Sequence, residues 1–311
     1  MNILITGACG HIGSYLVENL HKIKKVKKAF LIDNLESNRL DTLFNYKKKN
    51  KIEFFKRDLT DPKSLKGFKN INIVIHLASM TNAAKSFKLR KKMYSNNLNS
   101  FKTVINFCKK NQAKLIHVST TSVYTKNISL VDENCEKKYL KPQSPYAKIK
   151  LLEEKILKNL GKKIKYNTFR LATIAGVSKG IRFHTAVNNF CLSVALGENI
   201  KVYKTALHQF RPYLSLGDVF KLFKFTIEKN FFENDVYNVV SNNYTVYEII
   251  EKIRKYRKNI KISYVHSPIM NRLSYHVSKK KLSTKGLYFN SNLNRDIANT
   301  LNLFRNLNNA L

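Results

Sequence analysis

The feature that most constrains the fold is a short apolar run that breaks into closely spaced glycines and then into an amphipathic segment. Asn2-Ile3-Leu4-Ile5-Thr6 reads as a buried first strand, Thr6-Gly7-Ala8-Cys9-Gly10-His11-Ile12-Gly13 as a tight turn, and residues 14–22 as a helix. Glycines at that point let the backbone turn sharply, approach a pyrophosphate and seat a helix on a sheet. The helix N-terminus then offers unpaired N–H groups to an anion. The spacing Gly7, Gly10, Gly13 departs from the common Gly-x-Gly-x-x-Gly pattern.

Further short apolar runs follow at 29–32, 52–55, 73–79, 115–119 and 164–171, with helical patterns between them. That alternation predicts parallel strands joined by crossover helices, an α/β fold with a doubly wound sheet. The second run ends in Asp33-Asn34, about twenty residues beyond the glycine turn. An acid there accepts hydrogen bonds from ribose hydroxyls and repels a 2′-phosphate, and no arginine follows immediately, so NAD is the expected cofactor rather than NADP.

Tyr146 and Lys150 lie four residues apart, on one face of a helix whose start is written by Ser144 as N-cap and Pro145 as first residue. A free tyrosine ionises near about 10, and a neighbouring ammonium lowers that value. The pair suits proton exchange with an alcohol while a hydride moves.

These features together resemble the extended short-chain dehydrogenase/reductases, and among them the NAD-dependent epimerase/dehydratase group acting on nucleotide sugars. The resemblance spans nearly the whole chain. It is carried by the glycine turn, Asp33-Asn34-Leu35, Asp58-Leu59, His76-Leu77-Ala78, Asn97, Ser119-Thr120-Thr121-Ser122-Val123-Tyr124 and Pro142-Gln143-Ser144-Pro145-Tyr146. Arg211-Pro212-Tyr213-Leu214 with Asp218-Val219, Tyr237-Asn238-Val239 and Ser274-Tyr275-His276-Val277-Ser278 with Lys281-Leu282 extend it.

The resemblance implies a Rossmann-type NAD-binding domain at 1–172 and a smaller, mainly substrate-binding lobe at 173–311, with later segments returning to the first domain. It implies that Gly7, Gly10 and Gly13 form the pyrophosphate turn and that His11 and Ile12 also bind the cofactor. Asp33 and Asn34 would hold the adenosine ribose, Asp58 and Leu59 the adenine. Leu77, Ala78, Ser79 and Asn97 would line the cofactor, and Tyr146 and Lys150 would also contact it. Tyr146, Lys150 and Thr120 are the implied catalytic set. Thr121, Thr173, Asn188, Asn189, Arg211 and Arg272 are the implied substrate contacts, Arg211 by the fit of a guanidinium to a diphosphate.

Departures narrow the activity. The related 4,6-dehydratases carry Asp-Glu directly after the catalytic threonine, where this chain has Thr121-Ser122, so elimination of water is disfavoured. Thr125 replaces a usual glycine, Thr173 stands where many epimerases have asparagine, and the usual Arg-x-x-Asp is missing around Pro268-Ile269-Met270-Asn271-Arg272. The expected activity is an NAD-dependent nucleotide-sugar epimerase working through a keto intermediate, most simply at C4. The alternatives are a reductase or dehydrogenase on the same fold, and a non-catalytic nucleic-acid-binding relative.

Composition bears on the last of these. Lys and Arg number 57 against 20 acids, a net charge of +37 over 311 residues. The lysines are spread through the fold with no basic tail, which reads as compositional drift rather than a nucleic-acid surface. The four cysteines have neither metal-ligand nor disulfide spacing, so no metal is expected and a reducing cytoplasm is. Cys9, in the cofactor turn, is a candidate target for thiol reagents. No apolar stretch reaches the roughly 18 residues of a membrane span, and no signal peptide precedes the first strand. Ile149, Leu152, Ile156 and Leu160 form an apolar stripe that fits core packing or a homodimer interface.

Overall fold

The computed structural model describes residues 1–45, 51–82, 86–124, 128–142, 144–265 and 275–306. The first half of the chain runs β1 (Asn2–Thr6), α1 (His11–Asn19), β2 (Lys28–Asp33), β3 (Lys51–Lys56), β4 (Ile73–His76), α2 (Arg90–Asn111), β5 (Lys114–Thr120), β6 (Ile128–Val131), α3 (Pro145–Leu160) and β7 (Tyr166–Leu171). The second half runs β8 (Thr173–Ala175), α4 (Ala186–Ala195), β9 (Ile200–Tyr203), β10 (Phe210–Ser215), α5 (Leu216–Glu228), β11 (Asp235–Val239), β12 (Asn242–Thr245), α6 (Val246–Arg254), β13 (Ile262–Val265), β14 (Tyr275–Val277), α7 (Lys280–Ser283) and α8 (Asn294–Asn302).

Seven strands form one sheet in the order β11-β7-β5-β4-β1-β2-β3, every pair parallel. The order reverses at β1, the switch point of a doubly wound sheet. Alternation along each strand feeds two cores. Ile3, Ile5, Ile73, Ile75 and Ile116 join α1 and α5 on one face; Leu4, Val74 and Leu115 join α2 and α3 on the other. Such a fully buried aliphatic stabilises the fold by about 1.5–3 kcal/mol.

Two crossovers differ from the expected helices. Among the described residues, β2 reaches β3 through a single 3-10 turn at Leu40–Leu43, and β3 reaches β4 without a helix. The second departure has a local cause. Asp58 and Asp61 each accept a backbone N–H two residues on, Pro62 follows, and Gly67 and Asn70 take positive φ, so the chain is committed to turns. Helix α1 begins at His11, three residues earlier than the sequence pattern indicates.

After β7 the chain leaves the central sheet. β8, β10 and β12 form a second sheet, β9 pairs with β13 and β6 with β14, while β11 returns to the central sheet beside β7. A third core, built on Val187, Phe190, Ile249, Ile250, Ile253 and Ile297, holds α4, α6 and α8 together. The stripe on α3 packs inward: Ile149 is buried, and Leu152, Ile156 and Leu160 lie against the α2/α3 core. No helix among the described residues is long and apolar enough to cross a membrane.

Candidate active site

The carboxyl ends of β1, β2 and β4 open into a cleft of about 390 Å³. Gly7, Gly10, Asp33, Asn34, Asp58, Leu59, Leu77, Ala78 and Ser79 all line it, as do Arg39, Arg182 and His184. The glycine turn is sterically required. Gly7 has φ +67, and a Cβ on it would stand 2.6 Å from the Ala78 nitrogen; one on Gly13 would stand 2.3 Å from the Gly7 carbonyl oxygen. The turn is therefore a cradle of bare backbone at the start of α1. Asp33 holds it in place, accepting from the Cys9 N–H at 3.0 Å and the Leu35 N–H at 2.9 Å. Asn34 accepts from the Glu36 N–H at 3.1 Å. A glycine cradle at a helix start, with an ordered acid at the end of the neighbouring strand, fits a dinucleotide.

Other predicted residues turn away from the cleft. His11 is buried against Ser178, Nδ1 to Oγ 2.7 Å, and burial, followed by Arg182, Arg39 and His184, pushes it down to about 3. Ile12 packs on the core. Asn97 clamps the Met80 backbone, accepting from its N–H at 2.8 Å and donating to its carbonyl at 3.0 Å. Burial foremost raises the Cys9 thiol to about 11, so it is a protonated core residue and not an activated thiol.

Thr120 ends β5, and its hydroxyl oxygen accepts from the Ser122 N–H at 3.2 Å, capping the turn Thr121–Val123. Helix α3 packs against that turn and starts as the sequence dictates. Ser144 accepts from the Ala147 N–H at 3.2 Å, and Pro145 occupies the first turn. Tyr146 is half-buried and Lys150 is 2% exposed. Burial holds the Tyr146 phenol above its ordinary value; Lys150 pulls it down, Glu153 opposes that pull, and Arg182 adds a smaller lowering effect. Arg182 reaches from the segment after β8 to hydrogen-bond Thr81 across the cleft, and Arg39 donates to the Gly180 carbonyl at 2.9 Å.

On the substrate side, Thr121 and Ser122 lie beside the Tyr275 phenol, and Tyr275 faces Arg211. Arg211 lies opposite Tyr244 in the second sheet, and burial lowers its guanidinium pKa. Thr173 pairs with Tyr213 in the same sheet. Asn188 is fully buried, accepting from the Gly176 N–H at 3.2 Å and donating to the Arg182 carbonyl at 3.1 Å, while Asn189 is exposed. Thr125 and Arg272 fall outside the described residues. Among the described residues no group of His, Cys, Asp and Glu could hold a metal.

Sequence reading did not single out Arg39, Arg182 or His184, because nothing local marks them. They meet only when the segment after β8 folds back over the glycine turn.

The reversal of strand order, the glycine cradle and the acidic end of β2 define a dinucleotide-binding, doubly wound α/β protein. A family model confirms and narrows this over residues 3–239: the chain belongs to the NAD dependent epimerase/dehydratase family, in the extended short-chain dehydrogenase/reductase class, and its cofactor is NAD. It is similar to a dTDP-D-glucose 4,6-dehydratase of Dictyostelium discoideum, 28% identical across 76% of this chain and 57% of that protein. It is also similar to a UDP-glucose 4-epimerase of the same organism, 31% identical across 51% of this chain and 46% of that protein. The chain thus spans about half the length of these curated relatives. In fold it matches the crystal structure of a Thermus thermophilus UDP-glucose 4-epimerase complex with NAD, TM-score 0.82 at 22% identity, covering 98% of this chain and 99% of that one.

Proposed function

We propose that the protein is an NAD-dependent epimerase of a nucleotide sugar, inverting one ring carbon, C4 in the simplest case, through a transient ketone. The carrying observation is Thr120 at the end of β5 beside the Tyr146/Lys150 helix, followed by the uncharged Thr121 and Ser122. Likeness to a protein named UDP-glucose 4-epimerase supports the reading.

Bound NAD supplies the hydride acceptor and donor. Gly7 and Gly10 would hold its pyrophosphate with backbone N–H groups, Gly13 would let α1 pack close behind them, and Asp33 and Asn34 would hold its ribose. Tyr146, as phenolate, takes the proton of the sugar hydroxyl and later returns it. The Lys150 ammonium stabilises that phenolate. Thr120 uses its oxygen to cap the turn, which leaves its O–H to donate to the reacting sugar oxygen. Arg211, in the second sheet, would supply a guanidinium to the nucleotide diphosphate. Thr121 and Ser122 carry no carboxyl group, so neither can act as the acid or base of a dehydration.

The test is NMR of UDP-, dTDP- and GDP-sugars incubated with the protein and catalytic NAD. An epimer without net cofactor change is expected. A 4-keto-6-deoxy product would make it a dehydratase; stoichiometric cofactor consumption would make it a reductase or dehydrogenase. Tyr146→Phe should lower turnover by about 100-fold or more; undiminished turnover would remove the mechanism.

A further inference from the structure

A row of polar side chains crosses the central sheet behind the Tyr146/Lys150 helix. Thr6 of β1, His76 of β4, His117 of β5 and Thr168 of β7 stand in register on adjacent strands, so their side chains share one face. All four are buried. Thr6 Oγ1 lies 2.8 Å from His76 Nδ1, and Thr168 Oγ1 lies 3.1 Å from His117 Nδ1. Phe101 of α2 packs against both imidazoles.

The row connects to α3 at one point. His117 Nε2 lies 2.9 Å from Glu153 Oε2, and the same oxygen accepts from Lys150 Nζ at 2.8 Å. Tyr146, Lys150 and Glu153 occupy positions i, i+4 and i+7, one stripe of the helix. Glu153 is fully buried, and its Oε1 has no hydrogen-bond partner among the described residues. In the neutral form of His117 the network assigns the ring proton to Nε2. The imidazole then donates to the carboxylate and accepts from the Thr168 hydroxyl, which fixes the tautomer. A carboxylate and an imidazole placed here are costly compared with aliphatic side chains of the same volume. The contact of the carboxylate with Lys150 gives the pair a use.

We propose that Glu153, oriented by His117 and Thr168, is a positioning residue that keeps Lys150 charged and directed toward Tyr146. The inference rests on the reading of Tyr146 as the proton-transfer group. An ammonium has three N–H groups, and the bond to Glu153 leaves two more. Lys150 is faced by Tyr146, Glu153 and Glu154 from its own helix and by His76 from β4, His117 of β5 faces Glu153, and Arg182 faces Tyr146 from the segment after β8. Burial acts to discharge Lys150; Glu153 first, then Tyr146, outweigh it and hold its pKa above the ordinary lysine value.

Glu153 has two opposed effects on Tyr146. As a like charge it raises the phenol directly; by keeping Lys150 protonated it lowers the phenol indirectly. Their balance gives a test with a sign. The chain's 16 tyrosines can be followed by ring-carbon NMR of the NAD-saturated protein, Tyr146 being assigned by its absence in Tyr146→Phe. In Glu153→Gln the Tyr146 midpoint should rise by about one unit or more, because an uncharged Lys150 gives no help. Glu153→Asp, with a shorter reach and a retained charge, should shift it in the same direction by less, and serves if the glutamine variant does not fold. A midpoint that falls or stays fixed in both variants would reduce Glu153 to a like-charged neighbour and overturn the proposal. The titration needs no substrate. A rise in midpoint with undiminished turnover by Tyr146→Phe would therefore sink the catalytic reading alone. Loss of turnover in Tyr146→Phe with no rise would sink only the role of Glu153.

Discussion

Glu153 and Glu154 are consecutive residues of α3, both buried, and each holds a buried cation, yet the two regions they organise are built to opposite ends. Glu154 is saturated. Its Oε1 accepts from Ser119 Oγ at 2.5 Å and Arg170 Nε at 3.1 Å, and its Oε2 accepts from Arg170 Nη2 at 2.6 Å. Arg170 also donates to the Tyr124 hydroxyl at 2.7 Å, which donates to Asn238 Oδ1 at 2.7 Å, tying α3 to β5, β7 and β11. Glu153 places both of its bonds on one oxygen and holds its lysine by a single contact. A planar, permanently charged guanidinium in a fork makes a strut, whereas an ammonium on a flexible stem keeps donors for other work and can lose its proton. One glutamate braces the sheet beneath Thr120, and its neighbour tunes the residue beside Tyr146.

The strongest test of that contrast is Glu154→Gln. Arg170 cannot shed its charge, so the variant strands a buried cation and should lose about 3–5 kcal/mol of stability. Urea unfolding midpoints at several pH values should show the loss at every pH. Glu153→Gln should cost less, about 1–3 kcal/mol near neutrality, because Lys150 can escape by deprotonating. The sign of its pH dependence follows. With its partner gone, burial sets the folded-state pKa of Lys150 below that of the unfolded chain, so the unfolded state binds more protons and stability rises with pH. The penalty should therefore shrink toward alkaline pH, where that of Glu154→Gln does not. Equal, pH-independent losses in the two variants would erase the distinction.

Tyr124→Phe probes the strut at its far end. It removes the hydroxyl between Arg170 and Asn238 while leaving the Arg170–Glu154 fork intact, so about 1–3 kcal/mol should be lost with no change in the ionisation of Tyr146. A shifted Tyr146 midpoint would mean that the two regions are one network.

How much of this contrast the sequence carried follows from the range of the interactions. The glycine turn, Asp33 and the Ser144-Pro145 helix start were legible because each is written within a few residues and needs only backbone geometry. The same holds for the Tyr146/Lys150 pair. Glu153 carried a local signal that was passed over, its i+3 spacing from Lys150, and His117 another, a histidine in an otherwise apolar strand. Neither has meaning until parallel pairing sets His117 beside Thr168 and α3 brings Glu153 against it. Arg182 had no local signal at all, since its closeness to Gly10 and Thr81 depends on a return from the second sheet. The helix-free passage from β3 to β4 was misread because apolar residues such as Leu65 and Phe68 suggest a helix, while Pro62, Gly67 and the two Asp-led turns forbid it.

The smallest expected effect lies at the other end of the polar row. Burial foremost, then Lys150, holds the His76 imidazole down to about 3 from an ordinary 6.5. The unfolded chain thus takes up a proton at His76 well before the folded one does. Its contribution to stability is complete above about pH 6.5 and is lost progressively as pH falls from there toward 3. His11 adds a term of the same sign. Near pH 6 the His76 share is below about 1 kcal/mol, so it appears as a slope in unfolding free energy rather than as a drop. His76→Asn should flatten that slope and leave the His11 share. Burial is the leading cause of the lowered His76 pKa, and Lys150 and Glu153 act on His76 with opposite signs, so the slope near pH 6 should persist in both Glu153→Gln and Glu154→Gln. A slope lost in Glu153→Gln and kept in Glu154→Gln would show that the charges on α3, and not burial, set the ionisation of His76.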